Sequence, residues 1–471
     1  MKYLIFIFSL FIFSPVSAQH WAAIGDFNHG IGYLFTDTVA DELYLIGGFS
    51  KFNSDTIGGI GRWNGSTMIT FGCGVDWDCI TPIIPDGFYP RVNGIIRYNG
   101  DIFVTGFFNT AGNNIVNSIA RWDGTSWYNL SSGLKGTDGS QGGGNGLKVI
   151  NNELYVFGGF DSVAGIAANS IGKYDGSNWS AVHNFPVIPT DIGAANRVND
   201  IAFYNNEIFV CGNLNNLPTG TFANIIKWDG ADWVSVGDGI RGSIVFVNKM
   251  LVYKNELIVG GLFSKSVAPN NPGLNIGKWN GTQWSELGSG VDGMVHDMKV
   301  HDDTLYVCGT FKHAGGIPAD GIAKWDGSKW CGFGTTFDNV VNALDFYRDT
   351  LYIGGGFWSI NGDSIQFLAK WTGGNYIDTC SNTTSVGEID KEENAIVVYP
   401  NPVTGNEFTI SFPFTKSGTL QVINVLGETV ISNNIRNAAK FIINVEALSK
   451  GYYIIRVQAD NKCFAEKILK Q

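Results

Sequence analysis

The sequence predicts an all-β protein built from repeats, and three observations indicate this. Glycine accounts for 62 of the 471 residues, aromatic residues for 13% and charged residues for only 15%. This composition suits short strands joined by tight turns better than it suits charge-rich helices. The chain is also longer than a single hydrophobic core requires, so several domains or one closed repeat architecture are expected.

Two sequence elements recur seven times each. The first is a strand of the type Leu-Tyr-Leu-Ile-Gly-Gly-Phe, and its copies begin at Leu43, Ile102, Leu154, Ile208, Leu257, Leu305 and Leu351. The second is an aromatic residue followed by Asn-Gly or Asp-Gly, and its copies begin at Trp63, Trp122, Tyr174, Trp228, Trp279, Trp325 and, with Thr in place of Asn or Asp, Trp371. Asn-Gly and Asp-Gly between apolar strands predict hairpins because these residues tolerate a positive φ.

The spacing of the second element, 46 residues from Trp325 to Trp371, is typical of a four-stranded propeller blade. The last repeat shows three strands, at 340–347, 351–357 and 367–371, but no fourth strand. The missing strand is found at the other end of the chain, where Trp21–Gly25 resembles the fourth-strand element Trp284–Gly288. We therefore predict a seven-bladed β-propeller over residues 19–376 that is closed by its N-terminal strand, which leaves no open edge.

The Gly-Gly doublets, the paired aromatic residues and the repeat of about 50 residues resemble the Kelch and galactose-oxidase-like propellers. The resemblance implies an architecture and no ligand. A copper-radical site like that of galactose oxidase would need converging Tyr, His and Cys ligands, which the sequence does not place.

The N-terminus predicts export. Lys2 precedes the apolar stretch Leu4–Phe13, and small residues up to Ala18 then precede a cleavage point, which is typical of a signal peptide over residues 1–18. The alternative is a membrane anchor, but about ten apolar residues are too few for a bilayer that requires about 20.

A polar stretch at residues 377–394 reads as a linker, and alternating apolar residues beyond it predict a small C-terminal β-sandwich over 395–471. This region carries motifs in a fixed order, which are Tyr399-Pro400-Asn401-Pro402, then Gly427, then Gly451-Tyr452, and finally Lys467 and Lys470. Together they resemble a type IX secretion C-terminal sorting domain. The resemblance implies that the type IX secretion machinery is a partner, and that the cargo is then released or attached to surface lipopolysaccharide. Judged from its strands alone, an immunoglobulin-like module is the alternative.

Charge and motif content exclude some functions. The net charge is −11 and the sequence pI is near 5.0, so a nucleic-acid partner is not expected. The six histidines show no metal-ligand spacing and no nucleophile motif stands out, so neither catalytic residues, nor a metal, nor a cofactor is predicted. His296, His301 and His313 fall in one blade but on a strand, a turn and a loop. Enzymatic activity remains an open alternative that the sequence disfavours.

Twelve of the 14 tryptophans occupy the two repeated positions, where blade packing is a stronger interpretation than a row of sugar-stacking rings. The two others are Trp77 and Trp358. Both fall in connections that emerge on the face carrying the long insertions, so we predict that they contact a ligand there, with the alternative that Trp77 merely fills its own loop. Cys73 and Cys79 flank Trp77 and are candidates for a disulfide, with free thiols as the alternative. With seven cysteines, at least one is unpaired unless two chains are joined.

These features predict a secreted protein, or one on the outer-membrane cell surface of a Gram-negative bacterium, that binds a glycan or protein without catalysis. A secreted carbohydrate-active enzyme and a structural surface-coat component are the alternatives.

Overall fold

The structure, a computed structural model, describes residues 20–71, 91–112, 114–136, 138–183, 185–186, 198–214, 224–240, 245–264, 273–373, 397–424, 429–459 and 462–471. The chain divides into two compact units, Met1–Cys380 and Ser381–Gln471. The predicted signal peptide, residues 1–18, and the predicted linker, residues 377–394, lie outside the described residues. None of the described segments forms a helix long and apolar enough to cross a membrane.

The first unit is all β. Its strands are β1 (Trp21–Ala23), β2 (Ile31–Asp37), β3 (Glu42–Gly47), β4 (Lys51–Phe52), β5 (Asp55–Thr56), β6 (Ile60–Trp63), β7 (Met68–Thr70), β8 (Arg91–Tyr98), β9 (Asp101–Phe107), β10 (Thr110–Ala111), β11 (Asn114–Ile115), β12 (Ile119–Trp122), β13 (Trp127–Asn129), β14 (Leu134–Lys135), β15 (Gly143–Ile150), β16 (Glu153–Gly159), β17 (Ser162–Val163), β18 (Ile166–Ala167), β19 (Ile171–Tyr174), β20 (Trp179–Ala181), β21 (Val198–Tyr204), β22 (Glu207–Gly212), β23 (Ile225–Trp228), β24 (Trp233–Ser235), β25 (Phe246–Tyr253), β26 (Glu256–Leu262), β27 (Ile276–Trp279), β28 (Trp284–Glu286), β29 (Val295–His301), β30 (Thr304–Gly309), β31 (His313–Ala314), β32 (Ile317–Pro318), β33 (Ile322–Trp325), β34 (Trp330–Gly332), β35 (Val341–Tyr347), β36 (Thr350–Gly355) and β37 (Leu368–Trp371).

The longer strands pair into four-stranded antiparallel sheets, one for each sequence repeat. In pairing order these are β2-β3-β6-β7, β8-β9-β12-β13, β15-β16-β19-β20, β21-β22-β23-β24, β25-β26-β27-β28, β29-β30-β33-β34 and β35-β36-β37-β1. We call them blades 1 to 7. The prediction of an all-β propeller is confirmed, and the short pairs such as β4 and β5 extend the loops between the second and third strands of their blades.

Strand β1 supplies the fourth strand of blade 7. Trp21 lies opposite Trp371, Ala22 opposite Lys370 and Ala23 opposite Ala369. The indole Nε1 of Trp21 donates a hydrogen bond of 3.0 Å to Oγ1 of Thr335 in the preceding connection. The N-terminal strand is therefore held both by its own blade and by the loop before that blade.

The hydrophobic cores lie between blades. Each buried cluster of the propeller unit combines two neighbouring blades, and one such cluster joins blade 7 to blade 1 through Tyr347, Tyr352 and Leu34. The tryptophans of the fourth strands follow this rule, since Nε1 of Trp284 donates to the carbonyl of Val236 in the preceding blade at 2.9 Å. Nε1 of Trp330 likewise donates to the carbonyl of Leu287 at 3.0 Å. The repeated tryptophans thus pack one blade against the next.

The hairpins use two different kinds of turn. Between the first and second strands of most blades, two consecutive residues adopt positive φ, such as Asn151 (51°) and Asn152 (62°). Between the third and fourth strands, Gly65 has a φ of 96°, while the side chain of Asn64 accepts backbone hydrogen bonds from Ser66 and Thr67 at 3.0 and 2.9 Å. The Asn or Asp of the repeated Asn-Gly and Asp-Gly turns therefore acts through its side-chain oxygen rather than through its own positive φ.

A chain of asparagines joins the innermost strands. Each first strand has a β-bulge near its start, and in several blades an Asn at that bulge donates to a backbone carbonyl of the following blade. The donors and acceptors are Asn93 to Gly144, Asn145 to Val198, Asn199 to Val247, Asn248 to Val295 and Asn342 to Ile31. Blade 6 has His296 at this position and blade 1 has Gly32. The last of these bonds joins blade 7 to blade 1.

Charged residues fill the centre of the ring. The ion pairs Lys148–Asp200, Lys249–Asp297 and Lys299–Asp345 have N–O distances of 2.7, 3.8 and 3.2 Å, and each pair joins two blades. Burial alone would lower the pKa of Lys299, but the charge of Asp345 raises that pKa above its usual range. A cavity of about 20 Å³, lined by residues of blades 1 to 5 that include Lys148, Asp200 and Lys249, lies beside these pairs.

The second unit contains β38 (Val397–Tyr399), β39 (Glu407–Ile423), β40 (Thr429–Asn444), β41 (Gly451–Ala459) and β42 (Lys462–Lys470). Hydrogen bonds connect all five strands into one sheet, in which β39 pairs with β38, β40 and β41. Phe408 and Ile410 from the first part of β39 and Leu420 and Val422 from its last part share one buried core. The sheet therefore folds over on itself and encloses a core, as the two layers of the predicted sandwich would.

Candidate functional site

Trp358 is the predicted ligand contact that falls within the described residues. It lies in the loop between β36 and β37 of blade 7 and is 53% exposed. No other tryptophan in the described segments is exposed. The backbone N–H groups of Trp358 and Ser359 donate to Oδ1 of Asp338 at 2.9 and 3.1 Å. Burial raises the pKa of Asp338, but these hydrogen bonds outweigh it and hold that pKa below its usual value.

The same arrangement, in which an Asn or Asp side chain accepts two backbone N–H groups of this loop, recurs in other blades. It was not predicted from the sequence. Asn28 accepts the backbone N–H groups of Ser50 and Lys51 in blade 1, and Asp292 accepts those of Lys312 and His313 in blade 6. The sequence signal is an apolar residue followed by Asn or Asp shortly before the first strand, as in Phe337-Asp338. The loop that carries Trp358 is therefore held at a fixed position before any ligand arrives.

The ring of Phe367 packs against the indole of Trp358. The two rings are in edge contact, with centroids 4.7 Å apart and planes at 64°. Phe367 is buried and has a φ of 61°, a conformation that is rare for a bulky residue. The equivalent positions also have positive φ but carry residues that tolerate it, namely Gly59, Ser118, Ser170, Asn224, Asn275 and Gly321. Backbone strain of this kind is typical of functional sites.

An exposed amide lies beside the loop that carries Trp358. Asn339 is exposed, and a Cβ placed on Gly356 would lie 3.7 Å from its Nδ2 atom. Gly356 is two residues before Trp358 in the chain. An exposed aromatic face with an amide group nearby can pack on an apolar ligand surface while donating and accepting hydrogen bonds at its rim.

The other predicted residues of this face, Trp77, Cys73 and Cys79, lie outside the described residues, so their proximity to Trp358 remains a prediction. Cys211 and Cys308 are buried free thiols, in agreement with the expectation of at least one unpaired cysteine. Burial raises the pKa of both thiols, which makes them poor nucleophiles. Cys331 is disulfide-bonded.

The histidines of blade 6 have different surroundings. His301 stacks on Phe346, with centroids 3.8 Å apart, and Nδ1 of His313 lies 2.7 Å from Oδ2 of Asp292. His296 has a buried Nε2 atom without a hydrogen-bond partner. Within the described residues no cluster of His, Cys, Asp or Glu could hold a metal ion.

The predicted sorting motifs meet at the last strand of the second unit. The side chain of Asn401 accepts a hydrogen bond from the N–H of Leu469 at 3.1 Å and donates to the carbonyl of Lys467 at 2.7 Å. Gly451 and Tyr452 pair with Lys470 and Leu469 on the other side of that strand. The bonds Tyr399–Pro400 and Asn401–Pro402 are both cis.

Two of the motif lysines have distinct roles. Nζ of Lys467 lies 4.0 Å from the centre of the ring of Tyr452, which is 51% exposed. Lys470 is buried, and its Nζ donates to the carbonyls of Val445 and Glu446. Gly427 lies outside the described residues. Motifs that are far apart in the sequence thus lie together, with Lys470 buried and with Lys467 and Tyr452 at the surface.

Comparison with known proteins identifies this second unit. Residues 397–471 match the family described as the secretion system C-terminal sorting domain. The fold and this match define a class, an exported β-propeller protein with a type IX sorting domain. The chain is accordingly exported to the cell surface or secreted, and the type IX secretion machinery is its partner in export.

Similarity to individual proteins is more limited. Ulvan lyase NLR42 of Nonlabens ulvanivorans is 36% identical over 83 residues, which are 17% of this chain and only 15% of that protein. The extracellular domain of BT4673 from B. thetaiotaomicron has a TM-score of 0.45 and 14% identity, covering 97% of this chain and 58% of that chain. U3-55K has a TM-score of 0.44 and 9% identity, covering 75% of this chain and 98% of that chain. These similarities assign no ligand or activity to this protein, and the Kelch resemblance stays a prediction.

Proposed function

We propose that this chain is an exported, non-catalytic binding protein whose propeller holds a glycan on the face that carries Trp358. The observation that carries the proposal is the exposure of this indole on a loop that Asp338 and Phe367 hold in place. The apolar C–H face of a sugar ring packs flat on an indole, and a preordered indole loses little conformational entropy on binding. Asn339, which is exposed beside the same loop, would supply an amide for hydrogen bonds to the sugar hydroxyls.

The test is a glycan array probed with the full chain and with the variants Trp358→Ala and Asn109→Ala. Asn109 is the matched control because it occupies the same loop position in blade 2 and is also exposed. A central aromatic anchor contributes about 2 kcal/mol or more to binding, which corresponds to at least about a 30-fold loss of affinity in Trp358→Ala. Asn109→Ala is expected to bind as the unsubstituted chain does.

The alternatives give different results in the same experiment. Shortened products released from a bound glycan would favour the carbohydrate-active enzyme. Binding to a protein but to no glycan would show that the ligand is a protein. Binding to neither would favour the structural coat component. Glycan binding that Trp358→Ala leaves unchanged would contradict the proposed site. After export, the same protein either remains attached to surface lipopolysaccharide or is released.

A further inference from the structure

A second concave site lies between blades 3 and 4, away from the loop of Trp358. It is a groove of about 460 Å³ lined by residues of both blades, including Glu153 and Tyr155 of β16, His183, Asn206, Glu207 and Trp228. This volume falls in the range of sites that bind small ligands. The groove is therefore large enough for one or two sugar rings.

The groove is associated with a departure from the repeat pattern. After the fourth strand of a blade, one residue adopts a positive φ, and this residue is Gly25, Ser131, Gly237, Gly288 or Gly334 in other blades. Two of these glycines lie tightly against tryptophans of the following blade, since a Cβ on Gly288 would be 2.2 Å from Trp325 and one on Gly237 would be 3.0 Å from Trp279. Blade 3 has His183 here, with a φ of 45°. A large side chain has thus been placed where the architecture otherwise uses a small one.

The imidazole of His183 covers one face of the indole of Trp228. The imidazole and indole rings are stacked, with centroids 4.6 Å apart and planes at 9°. The carbonyl of His183 accepts the Nε1–H of Trp233 at 3.0 Å, the same bond that the tryptophans of other blades make to the preceding blade. The backbone of His183 therefore makes the contact between blades that is found elsewhere, and its exposed imidazole is free to contact a ligand.

The charges around the groove are balanced. Glu153 accepts hydrogen bonds from Nζ of Lys173 at 2.8 and 3.1 Å and from the hydroxyl of Tyr155 at 3.2 Å. Glu207 is paired in the same way with Lys227, at 2.8 and 2.9 Å. With both carboxylates neutralised, the groove offers a stacked aromatic surface and many hydrogen-bonding groups but little net charge. This combination suits a neutral polyhydroxylated ligand better than an ion.

We infer that the groove between blades 3 and 4 is a second binding site, and that its ligand is a neutral saccharide of one or two rings. The ligand ring packs on the face of the His183 imidazole that does not contact Trp228, and its hydroxyls bond to Glu153, Glu207 and Asn206. The inference is independent of the site at Trp358, because the two sites share no residue.

The key variant is His183→Gly, which restores the residue that other blades use. It removes the stacking surface and relieves the positive φ, so the variant is expected to fold at least as stably as the unsubstituted chain. Ser131→Gly is the matched control, because it makes the same change at the equivalent exposed position of blade 2. Trp358→Ala serves as the control for the first site.

The measurement is titration calorimetry of the full chain with cellobiose, maltose, lactose, xylobiose, mannobiose and a uronic-acid disaccharide. We expect at least one neutral disaccharide to bind, with affinity at least tenfold lower in His183→Gly and unchanged in Ser131→Gly and Trp358→Ala. Three results would overturn the inference: no neutral disaccharide binds, the acidic one binds best, or His183→Gly binds within twofold of the unsubstituted chain. If binding depends on Trp358 but not on His183, the first site stands and this one fails.

Discussion

Replacing Trp21 by Ala tests whether the N-terminal strand stabilises the propeller. Trp21 is 1% exposed, and its ring contacts Trp371, Phe333 and Phe337 at centroid distances of 4.9 to 6.3 Å. Truncation of a buried Trp to Ala costs about 3–5 kcal/mol. We add nothing for the lost indole hydrogen bond, because Oγ1 of Thr335 still donates to the carbonyl of Phe333 at 3.2 Å. The expected loss in the free energy of unfolding is therefore about 3–5 kcal/mol.

Urea unfolding followed by circular dichroism measures this loss, with two tryptophan-to-alanine substitutions as references. Trp127→Ala removes a side chain that is 4% exposed in the same position of blade 2, and it should cost a similar amount. Trp358→Ala removes an exposed indole and should cost less than about 1 kcal/mol. A loss below about 1 kcal/mol for Trp21→Ala would refute the reasoning, because β1 would then pair with blade 7 without stabilising it.

Three further predictions concern the centre of the ring, its pH response and export. Asp200→Ala should lower the free energy of unfolding by about 1–3 kcal/mol, because it removes the acceptor of the N–H of Met250 at 2.8 Å and the acidic partner of Lys148, whose Nζ keeps the carbonyls of Ile201 and Met250; thermal unfolding at neutral pH measures this, and a change under about 0.5 kcal/mol would contradict it. Burial lowers the pKa of His296 below its usual 6.5, with the charge of Asp297 opposing this shift, so the unfolded chain binds the proton more readily and stability falls as the pH drops through 6.5. His296→Asn restores the residue of other blades and should remove that component when unfolding is compared at pH 7.5 and 5.5; equal pH dependence in both proteins would count against it. Removal of residues 395–471 should leave the propeller folded inside the cell envelope and block its appearance outside, as measured by fractionation and limited proteolysis, whereas normal export of the truncated chain would argue that the sorting domain is not required.

Much of the propeller could be predicted because its information is local and repeated. The strand expected at 340–347 is observed as Val341–Tyr347, and the one expected at 367–371 as Leu368–Trp371. Because the hairpin signal recurs seven times, one degenerate copy such as that at Trp371 does not change the predicted repeat. The backbone conformation of the turns between first and second strands was not predicted, because Lys254-Asn255 and Arg348-Asp349 reach positive φ without glycine and leave no standard signal.

The sites were less predictable because they depend on contacts between distant residues. The sequence separates Trp358 from the repeated tryptophans, and so it identifies a candidate, but nothing in it shows that Phe367 supports the ring or that Asp338 holds the loop. The stack of His183 on Trp228 joins two blades, and its sequence signal is only a missing glycine. Such a signal can be recognised once the repeats are aligned blade by blade and the position is known to require positive φ.

Exceptions to the repeat carry more functional information than the residues that the blades share. Residues shared by the blades, such as the fourth-strand tryptophans and the inner-strand asparagines, are accounted for by contacts between blades. Phe367 and His183 also contact a neighbouring blade, but they differ from the repeat because smaller residues satisfy the same backbone positions elsewhere. Positive φ is unfavourable for a bulky aromatic residue such as Phe367 and less so for a histidine, so Phe367 in particular needs a compensating interaction. In both cases the structure shows an aromatic contact at the surface, and we propose that this contact serves ligand binding.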